Sequence, residues 1–266
     1  MKGGAILPTL ILLTVGACGG SEPINEWIPT FADEFDGPAG PPDVSKWTPE
    51  VNGRGGGNQE LQFYSDRPDN LRVNGMGQLS ITARREAFEA RDFTSARINT
   101  QGKFEQQNGR FETRMKLPKG KGYWPAFWML GGNFDDIGWP KCGEIDVMEN
   151  RGAIPSTVLS SLHGPGYQGG NAITELFRLN EGTFADEFHV FSVEWEAERI
   201  RFSVDGTSYH TVERAGMRSG ATWVFDHPFF MILNLAVGGT FGGEPNADTV
   251  FPQELLVDWV RAYRRR

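Results

Sequence analysis

The strongest constraint on the fold is that apolar and polar residues alternate along one short segment after another. Residues 78–83 and 110–117 both follow this pattern, whose period of two is that of a β-strand with one buried face. Residues 200–204 repeat it and end at Asp205-Gly206, a dipeptide that turns one hairpin strand into the next. Residues 229–237 are nearly all apolar, as a strand covered on both faces would be. No segment has a strong helical period, so the sequence predicts an all-β sandwich or barrel.

Length and charge limit the classes of protein that this chain can belong to. All-β domains of about this size are usually single, and we expect a monomer. The net charge is −8, which argues against a nucleic-acid-binding protein. No spacing of His and Cys indicates zinc or iron, and no glycine-rich phosphate loop joins a strand to a helix.

The first residues predict export and a lipid anchor. Residues 6–15 form an apolar run that is too short to span a bilayer, and the small residues after it end at Cys18, where a bacterial lipobox places its lipidated cysteine. We therefore predict a signal peptide over residues 1–17, a lipidated Cys18 with a tether to residue 25, and a single folded domain over 26–266. The alternative is an ordinary signal peptide and secretion. In a Gram-negative host, Gly19 in place of an Asp favours the outer membrane.

Three carboxylates lie within six residues, at Glu144, Asp146 and Glu149. In a strand Glu144 and Asp146 point to one face, where like charges destabilise a purely structural sheet. Glu149 has the opposite parity, and a β-bulge near Val147-Met148 would return it to the face of Glu144. Two carboxyl groups about 5–6 Å apart suit a glycosidase that retains anomeric configuration. The alternative is a solvated acidic edge strand.

Residues 144–149, Glu-Ile-Asp-Val-Met-Glu, resemble the catalytic signature of glycoside hydrolase family 16 in its bulged form. Further blocks resemble bacterial laminarinases and follow in order through nearly the whole mature chain, while residues 171–183 match least well. These blocks are residues 32–35, 58–62, 94–98, 123–130, 138–140, 163–167, 224–229 and 234–239.

The resemblance implies a β-jelly-roll sandwich of two curved antiparallel sheets with a concave substrate cleft. It implies that Glu144 is the nucleophile, Glu149 the general acid/base, and Asp146 a helper that hydrogen-bonds to the nucleophile. The implied activity is endo-hydrolysis of β-1,3-glucosidic bonds in laminarin-type glucans, without a cofactor for catalysis. Three neighbouring carboxylates cannot all ionise cheaply, so at least one should hold its proton.

Aromatic residues beside the motif suggest a sugar-binding face. Trp124, Ala126 and Trp128 share one strand parity, and an indole stacks on the apolar face of a sugar ring. The resemblance adds Trp139 as a wall of the cleft. Core packing is the competing interpretation for any single Trp.

Three polar residues, Asn58, Arg97 and His163, match family positions that contact sugar hydroxyls. Without the resemblance they would be interpreted as a turn Asn, a surface ion pair and a core histidine. The resemblance also implies a structural Ca²⁺ on the convex side, held by oxygens of Glu34, Gly77 and Asp258. The competing interpretation is that no metal binds there.

Alternative functions remain open at this point. A member of the family without catalytic Glu residues would be a glucan-binding lectin, whereas this chain has both. A mixed-linkage β-1,3-1,4-glucanase or a galactan hydrolase would share the bulged motif. The Trp-Pro-Ala-Phe-Trp block at 124–128 and the block at 163–167 favour β-1,3-glucan.

Overall fold

The computed structural model describes residues 27–266, so the predicted signal peptide, Cys18 and the tether lie outside the described residues. This range contains two four-residue helices, α1 (Phe134–Ile137) and α2 (Gly239–Gly242), and three 3₁₀ turns (Gly55–Gly57, Gly169–Asn171 and Arg214–Gly216). The remaining elements are strands: β1 (Trp27–Asp33), β2 (Thr48–Pro49), β3 (Gln62–Tyr64), β4 (Leu71–Val73), β5 (Leu79–Phe88), β6 (Arg91–Ser95), β7 (Arg97–Asn99), β8 (Gly109–Lys116), β9 (Tyr123–Gly131), β10 (Glu144–Asn150), β11 (Thr157–His163), β12 (Ile173–Arg178), β13 (His189–Trp195), β14 (Arg199–Val204), β15 (Thr207–Glu213), β16 (Phe229–Val237) and β17 (Gln253–Arg265).

The strands form two sheets, and the predicted sandwich is confirmed. One sheet has the order β15-β14-β13-β8-β17-β5-β6-β3, with β1 paired to β17 and β4 paired to β5. The other has the order β12-β11-β10-β9-β16-β7-β2. All pairs in the described range are antiparallel except the parallel pair of β3 and β6. The acidic strand β10 and its tryptophan-bearing neighbour β9 thus lie inside the seven-stranded sheet.

The alternating segments form strands close to their predicted bounds. Residues 110–117 fall on β8, and residues 200–204 form β14, which turns at Asp205 and Gly206 into β15. Asp205 has a φ of +49° and Gly206 a φ of +78°, the left-handed backbone of a tight hairpin. Strand β16 is buried at every position, which confirms the prediction of a strand covered on both faces.

The space between the sheets is filled by one large apolar core. The seven-stranded sheet contributes Tyr123, Phe127 and Met129 from β9, and the ten-stranded sheet contributes Phe111 and Trp195, all at most 1% exposed. A second, smaller cluster of Leu130, Cys142, Phe230 and Ile232 packs against Trp128. Cys142 is buried with a free thiol. None of the helices in residues 27–266 is long and apolar enough to cross a membrane.

Candidate active site

The acidic strand carries the β-bulge that the parity of its carboxylates predicts. On the β9 side, Asp146 pairs with Trp128, Met148 with Phe127 and Glu149 with Ala126. Val147 is therefore the extra residue, and the register against β11 shifts in the same interval. Because Glu144 pairs with Leu130, the three carboxylates lie opposite positions 130, 128 and 126, which share one face of β9.

Each of the two glutamates receives a hydrogen bond from an indole. Trp124 Nε1 donates to Glu149 Oε1 at 3.0 Å, and Trp139 Nε1 donates to Glu144 Oε2 at 2.5 Å. Trp124 precedes Ala126 by two residues on β9, and Trp139 lies in the loop between β9 and β10. Both carboxyl groups are half-buried, so each is oriented by an indole N–H and still partly accessible to solvent.

Burial and mutual repulsion make these carboxyl groups hard to ionise. Loss of hydration, followed by the charge of Asp146, raises the pKa of Glu144 to about 8. Loss of hydration, followed by the charge of Glu144, raises the pKa of Glu149 to about 7. Burial also raises the pKa of Asp146 well above its ordinary value. The three groups titrate as a set, and this set retains a proton near neutral pH, as acid catalysis on a leaving group requires.

His163 faces this cluster from β11, where it pairs with Glu144 across the sheet. Its Nε2 lies 3.0 Å from Asp146 Oδ2, a buried oxygen without an aligned hydrogen-bond donor. Ligand atoms of Glu144, Asp146 and His163 all lie within 4.8 Å of one another, close enough to hold a metal ion. However, Nδ1 accepts a hydrogen bond from the Gly169 amide. In neutral imidazole the proton is then on Nε2, so the nitrogen that faces the carboxylates is a donor rather than a ligand.

The two faces of β9 divide its aromatic residues as the sequence predicts. Trp124 and Trp128 are half-buried on the carboxylate face, whereas Phe127 on the other face is completely buried. Trp128 Nε1 donates to Asn234 Oδ1 at 2.8 Å, and the Arg97 guanidinium lies 4.7 Å from the centre of its ring. The face therefore presents two oriented indoles beside the carboxylates.

The other predicted sugar contacts lie around this face. Arg97 begins β7, and its Nε lies 2.8 Å from Glu50 Oε1, so it is an ion pair that also covers Trp128. Trp139 is 44% exposed, and its ring centre lies 6.0 Å from that of His163. Asn58 follows the 3₁₀ turn Gly55–Gly57, and its carbonyl accepts the Thr240 amide, which ties it to α2 near Trp124.

Several residues of this region were not predicted as site residues. Asn234 Nδ2 donates to Tyr64 Oη at 3.4 Å, and Tyr64 Oη donates to Glu60 Oε2 at 2.9 Å. Both Asn234 and Glu60 are at least 95% buried, so a buried polar chain supports the indole of Trp128 from below. Asn234 and Glu60 occur in two of the sequence blocks that resemble laminarinases, and this resemblance could have identified them as site residues.

An aromatic wall near Glu149 was also not predicted. The Phe241 ring lies 4.9 Å from that of Trp124, and the Arg151 guanidinium lies 4.2 Å from the Phe241 centroid. Phe241 belongs to α2, and nothing in its local sequence distinguishes it from a core residue.

The residues predicted to hold Ca²⁺ do not form a prepared site. Glu34 accepts two hydrogen bonds of 2.8 Å from Arg261, and this interaction lowers its pKa. Asp258 Oδ2 lies 2.5 Å from Arg114 Nη1. A Ca²⁺ ion needs several unpaired oxygen ligands, whereas both predicted carboxylates already neutralise an arginine. The side chains at Glu34 and Asp258 therefore do not fit a bound calcium ion as they stand.

Comparisons with known proteins place this geometry in context. The family model described as glycosyl hydrolases family 16 matches residues 59–261. A β-glucanase of Rhodothermus marinus is 40% identical over 267 residues, which cover 97% of this chain and 93% of the relative.

Solved structures resemble this fold closely. An endo-β-1,3-glucanase from Pyrococcus furiosus superposes with a TM-score of 0.86 at 43% identity, covering 91% of this chain and 96% of the other. The catalytic domain of an endo-1,3-β-glucanase (laminarinase) from Thermotoga petrophila RKU-1 gives the same TM-score and identity, covering 91% and 100% of the two chains.

Proposed function

The chain belongs to glycosyl hydrolase family 16, and we propose that it hydrolyses internal β-1,3-glucosidic bonds of laminarin-type glucans with retention of configuration. It is a glycoside hydrolase with the jelly-roll fold of that family. The observation that carries the proposal is the bulge at Val147, which brings Glu149 to the face of Glu144 and Asp146. The glutamates, each held by an indole N–H, then flank one position for the scissile bond.

The proposed reaction has two displacements at the anomeric carbon, and Glu149 gives up a proton in the first and recovers one in the second. The proton belongs to the set of carboxyl groups rather than to one residue, and in the reactive state it is on Glu149 while Glu144 is a carboxylate. Glu144 attacks the anomeric carbon and forms a glycosyl ester while the bond to the leaving oxygen breaks, and Glu149 donates its proton to that oxygen. Glu149 then removes a proton from water, which attacks the same carbon and releases Glu144 as a carboxylate. Asp146 lies between the two glutamates on the same face, and its interaction with Glu144 raises the pKa of Glu144. This chemistry uses side chains alone and needs no cofactor.

The proposed substrate rests on the indoles and on the relatives. Trp124 and Trp128 offer stacking surfaces beside the carboxylates, and Trp139 stands exposed at the Glu144 end. Relatives named β-glucanase or endo-1,3-β-glucanase are similar over nearly the whole length of this chain. We therefore place the glucan backbone along the carboxylate face, with Asn58, Arg97 and His163 as contacts for its hydroxyls.

A comparison of substrates tests the proposed function. The purified domain is incubated in parallel with laminarin, mixed-linkage β-1,3-1,4-glucan, agarose and carrageenan, and the released oligosaccharides are sized. We expect laminarin to give a ladder of short products, since an endo-acting enzyme cuts within the chain. Release of reducing ends from agarose or carrageenan alone would assign a galactan hydrolase instead, and binding to laminarin without release would assign a lectin.

The stereochemistry of the first product is a separate prediction. Two displacements at one carbon restore the original configuration, so the newly formed reducing end should be β. Proton NMR spectra recorded soon after mixing, before mutarotation, distinguish the two anomers by their anomeric signals. An early excess of the α anomer would require inversion, and with it a water between acid and base.

We also propose that the native protein is exported and anchored to the cell envelope through acyl chains on Cys18. The support is in the sequence before residue 27, where a short apolar run ends at the lipobox-like cysteine. Each buried CH₂ of an acyl chain adds about 0.8 kcal/mol of membrane affinity. For a Gram-negative host, the outer membrane is the proposed location.

The anchor predicts a specific result for the variant Cys18→Ser. Full-length wild-type protein expressed in a bacterial host should partition into the membrane fraction and have the mass of an acylated chain that begins at Cys18. The Cys18→Ser variant should be soluble or keep its signal peptide, because the thiol that carries the lipid is gone. Cys142→Ser is the matched control. Intact-mass spectra of native protein without acyl chains would exclude the anchor and leave the enzymatic proposal unaffected.

A further inference from the structure

The loop that follows His163 contacts its imidazole on the side opposite Asp146. Residues 164–172 join β11 to β12 and include the turn Gly169–Asn171. The Gly169 amide donates to His163 Nδ1 at 3.1 Å. On the other side of the ring, Nε2 lies 3.0 Å from Asp146 Oδ2. A backbone amide and a catalytic carboxylate therefore face the two nitrogens of one ring.

Only one tautomer of neutral His163 suits both neighbours. With the proton on Nε2, the Nδ1 lone pair accepts the Gly169 amide and the Nε2–H faces Asp146. With the proton on Nδ1, this N–H and the Gly169 N–H would be two donors that point at each other without an acceptor between them. The Gly169 amide can select the first arrangement only while the loop keeps this backbone in place.

Arg218, in the segment between β15 and β16, is hydrogen-bonded to this loop. Its guanidinium donates to the carbonyl of Asn171 at 2.7 Å, to the carbonyl of Gly166 at 2.9 Å and to Asn171 Oδ1 at 3.2 Å. These bonds span both ends of the turn that contains Gly169. The Gly169 φ of +56° suits glycine. Inside the turn, the Asn171 amide donates to the Gln168 carbonyl and the Ala172 amide to the Gly169 carbonyl, both at 3.1 Å. The bonds to Arg218 add to these and attach the turn to a distant segment of the chain.

The base of the loop is attached independently of Arg218. The completely buried Tyr167 donates its hydroxyl to the Thr222 carbonyl at 3.0 Å, and the Thr222 amide donates to the Pro165 carbonyl at 3.0 Å. Loss of the guanidinium should therefore free the tip at 168–171 and leave the base in place.

We propose that Arg218 is a positioning residue, which holds the Gly169 amide on His163 Nδ1 and thereby keeps the imidazole proton on Nε2, the nitrogen that lies 3.0 Å from Asp146 Oδ2. The chain of contacts runs from Arg218 through the loop backbone to His163, and from there to the carboxylate beside the nucleophile. Arg218 itself touches neither the carboxylates nor the tryptophans of the cleft. The consequence for catalysis rests on the proposed function, whereas the consequence for the imidazole does not.

The tautomer is measured directly by ¹⁵N NMR of the intact domain without substrate, at a pH where imidazole is neutral. The chain has four histidines, and the variant His163→Gln assigns the signals of His163. In the wild type we expect two well-separated ¹⁵N shifts, with the protonated nitrogen at Nε2. In Arg218→Met the separation should shrink as the second tautomer becomes populated, and Arg218→Lys should restore part of it.

Arg214→Met is the matched control, because Arg214 lies four residues away and its guanidinium contacts Glu198, Asp226 and the Trp223 ring, none of which belongs to residues 164–172. It should keep the wild-type shifts and laminarin turnover. Arg218→Met should lose about 10-fold in kcat/KM, mainly through kcat, since a remote change that misplaces a group near the reacting atoms by 1 Å can cost up to about 100-fold. Wild-type ¹⁵N shifts in Arg218→Met, with or without a slower rate, would overturn the proposal. If the wild-type domain were inactive on every glucan, the proposed function would be contradicted, whereas the NMR result on the His163 tautomer would be unaffected.

Discussion

Replacing Glu144 or Glu149 with Gln should abolish most hydrolysis of laminarin while the domain keeps its fold. The neutral amide that Glu144→Gln introduces cannot form the glycosyl ester, which closes the covalent route. Without the proton of Glu149, the leaving oxygen departs without general acid assistance, which is worth about 10²–10⁴ in rate. Both side chains are half-buried. Burial raises the pKa of each, and the charge of Asp146 adds to this effect at Glu144, as the charge of Glu144 does at Glu149. A neutral amide of the same shape should therefore not lower the melting temperature.

Leaving-group dependence separates the two roles. An aryl β-glucoside oligomer with an acidic phenol needs no proton on departure, so Glu149→Gln should form the glycosyl ester from it at close to the wild-type rate. Glu144→Gln should stay inactive on the same substrate. The measurement is the burst of released phenol together with laminarin turnover for both variants. Recovery of Glu144→Gln but not Glu149→Gln on the activated substrate would reverse the assignment, and near wild-type laminarin turnover in either would refute it.

The variant Asp146→Asn is a control for the two glutamate variants, from which we expect a smaller effect. Repulsion from Asp146 helps to raise the pKa of Glu144, and removing that charge makes ionisation of Glu144 easier. Its pKa should fall, and the acidic limb of the activity profile should move to lower pH. The loss of rate should be smaller than for either glutamate, because Asp146 forms no bond to the sugar in the proposed reaction. The profile describes the set of carboxyl groups rather than single residues.

The local pattern of the sequence was sufficient to predict several strands and the bulge. Alternation of apolar and polar residues predicted β8 and β14, because one face of each is buried and the register is then strongly specified. A nearly continuous apolar run predicted β16. The bulge followed from parity alone, since a regular strand would turn Glu149 into the core, where a charge is costly. The contrast between Trp128 and Phe127 came from the same rule.

Contacts between distant segments could not be predicted in this way. The pairing of Trp128 with Asn234 depends on the register of β9 with β16, which no local pattern specifies. The bond between Gly169 and His163 depends on a loop whose conformation is set by Arg218, nearly fifty residues further along the chain. The predicted calcium ligands also have distant partners, because matching positions did not reveal that Glu34 and Asp258 each face an arginine.

The opposite faces of β9 predict opposite defects for alanine variants of its aromatic residues. Phe127 is completely buried between the sheets, so Phe127→Ala should lower the free energy of unfolding by about 3–5 kcal/mol. Trp124 is half-buried, with Phe241 beside it and a single hydrogen bond to Glu149. Its truncation opens the cleft rather than a cavity, so Trp124→Ala should melt closest to the wild type and bind laminarin more weakly, through lost stacking.

The stability of Trp128→Ala should lie between those of Phe127→Ala and Trp124→Ala. Of the two Trp variants, it should lose more activity. The Trp128 indole also packs on the small cluster around Ile232, and its removal leaves the buried Asn234 Oδ1 without its donor, at a cost of about 1–3 kcal/mol. The missing ring faces Asp146 across the strand pair, where it would support the sugar at the cleavage point, so KM should rise and kcat should fall together. Melting curves and laminarin kinetics of the three variants, with Trp128→Phe to keep the bulk without the N–H, give the test. Should Trp124→Ala and Trp128→Ala both melt as low as Phe127→Ala and bind laminarin normally, the indoles would belong to the core, and the glucan would have to lie on another surface.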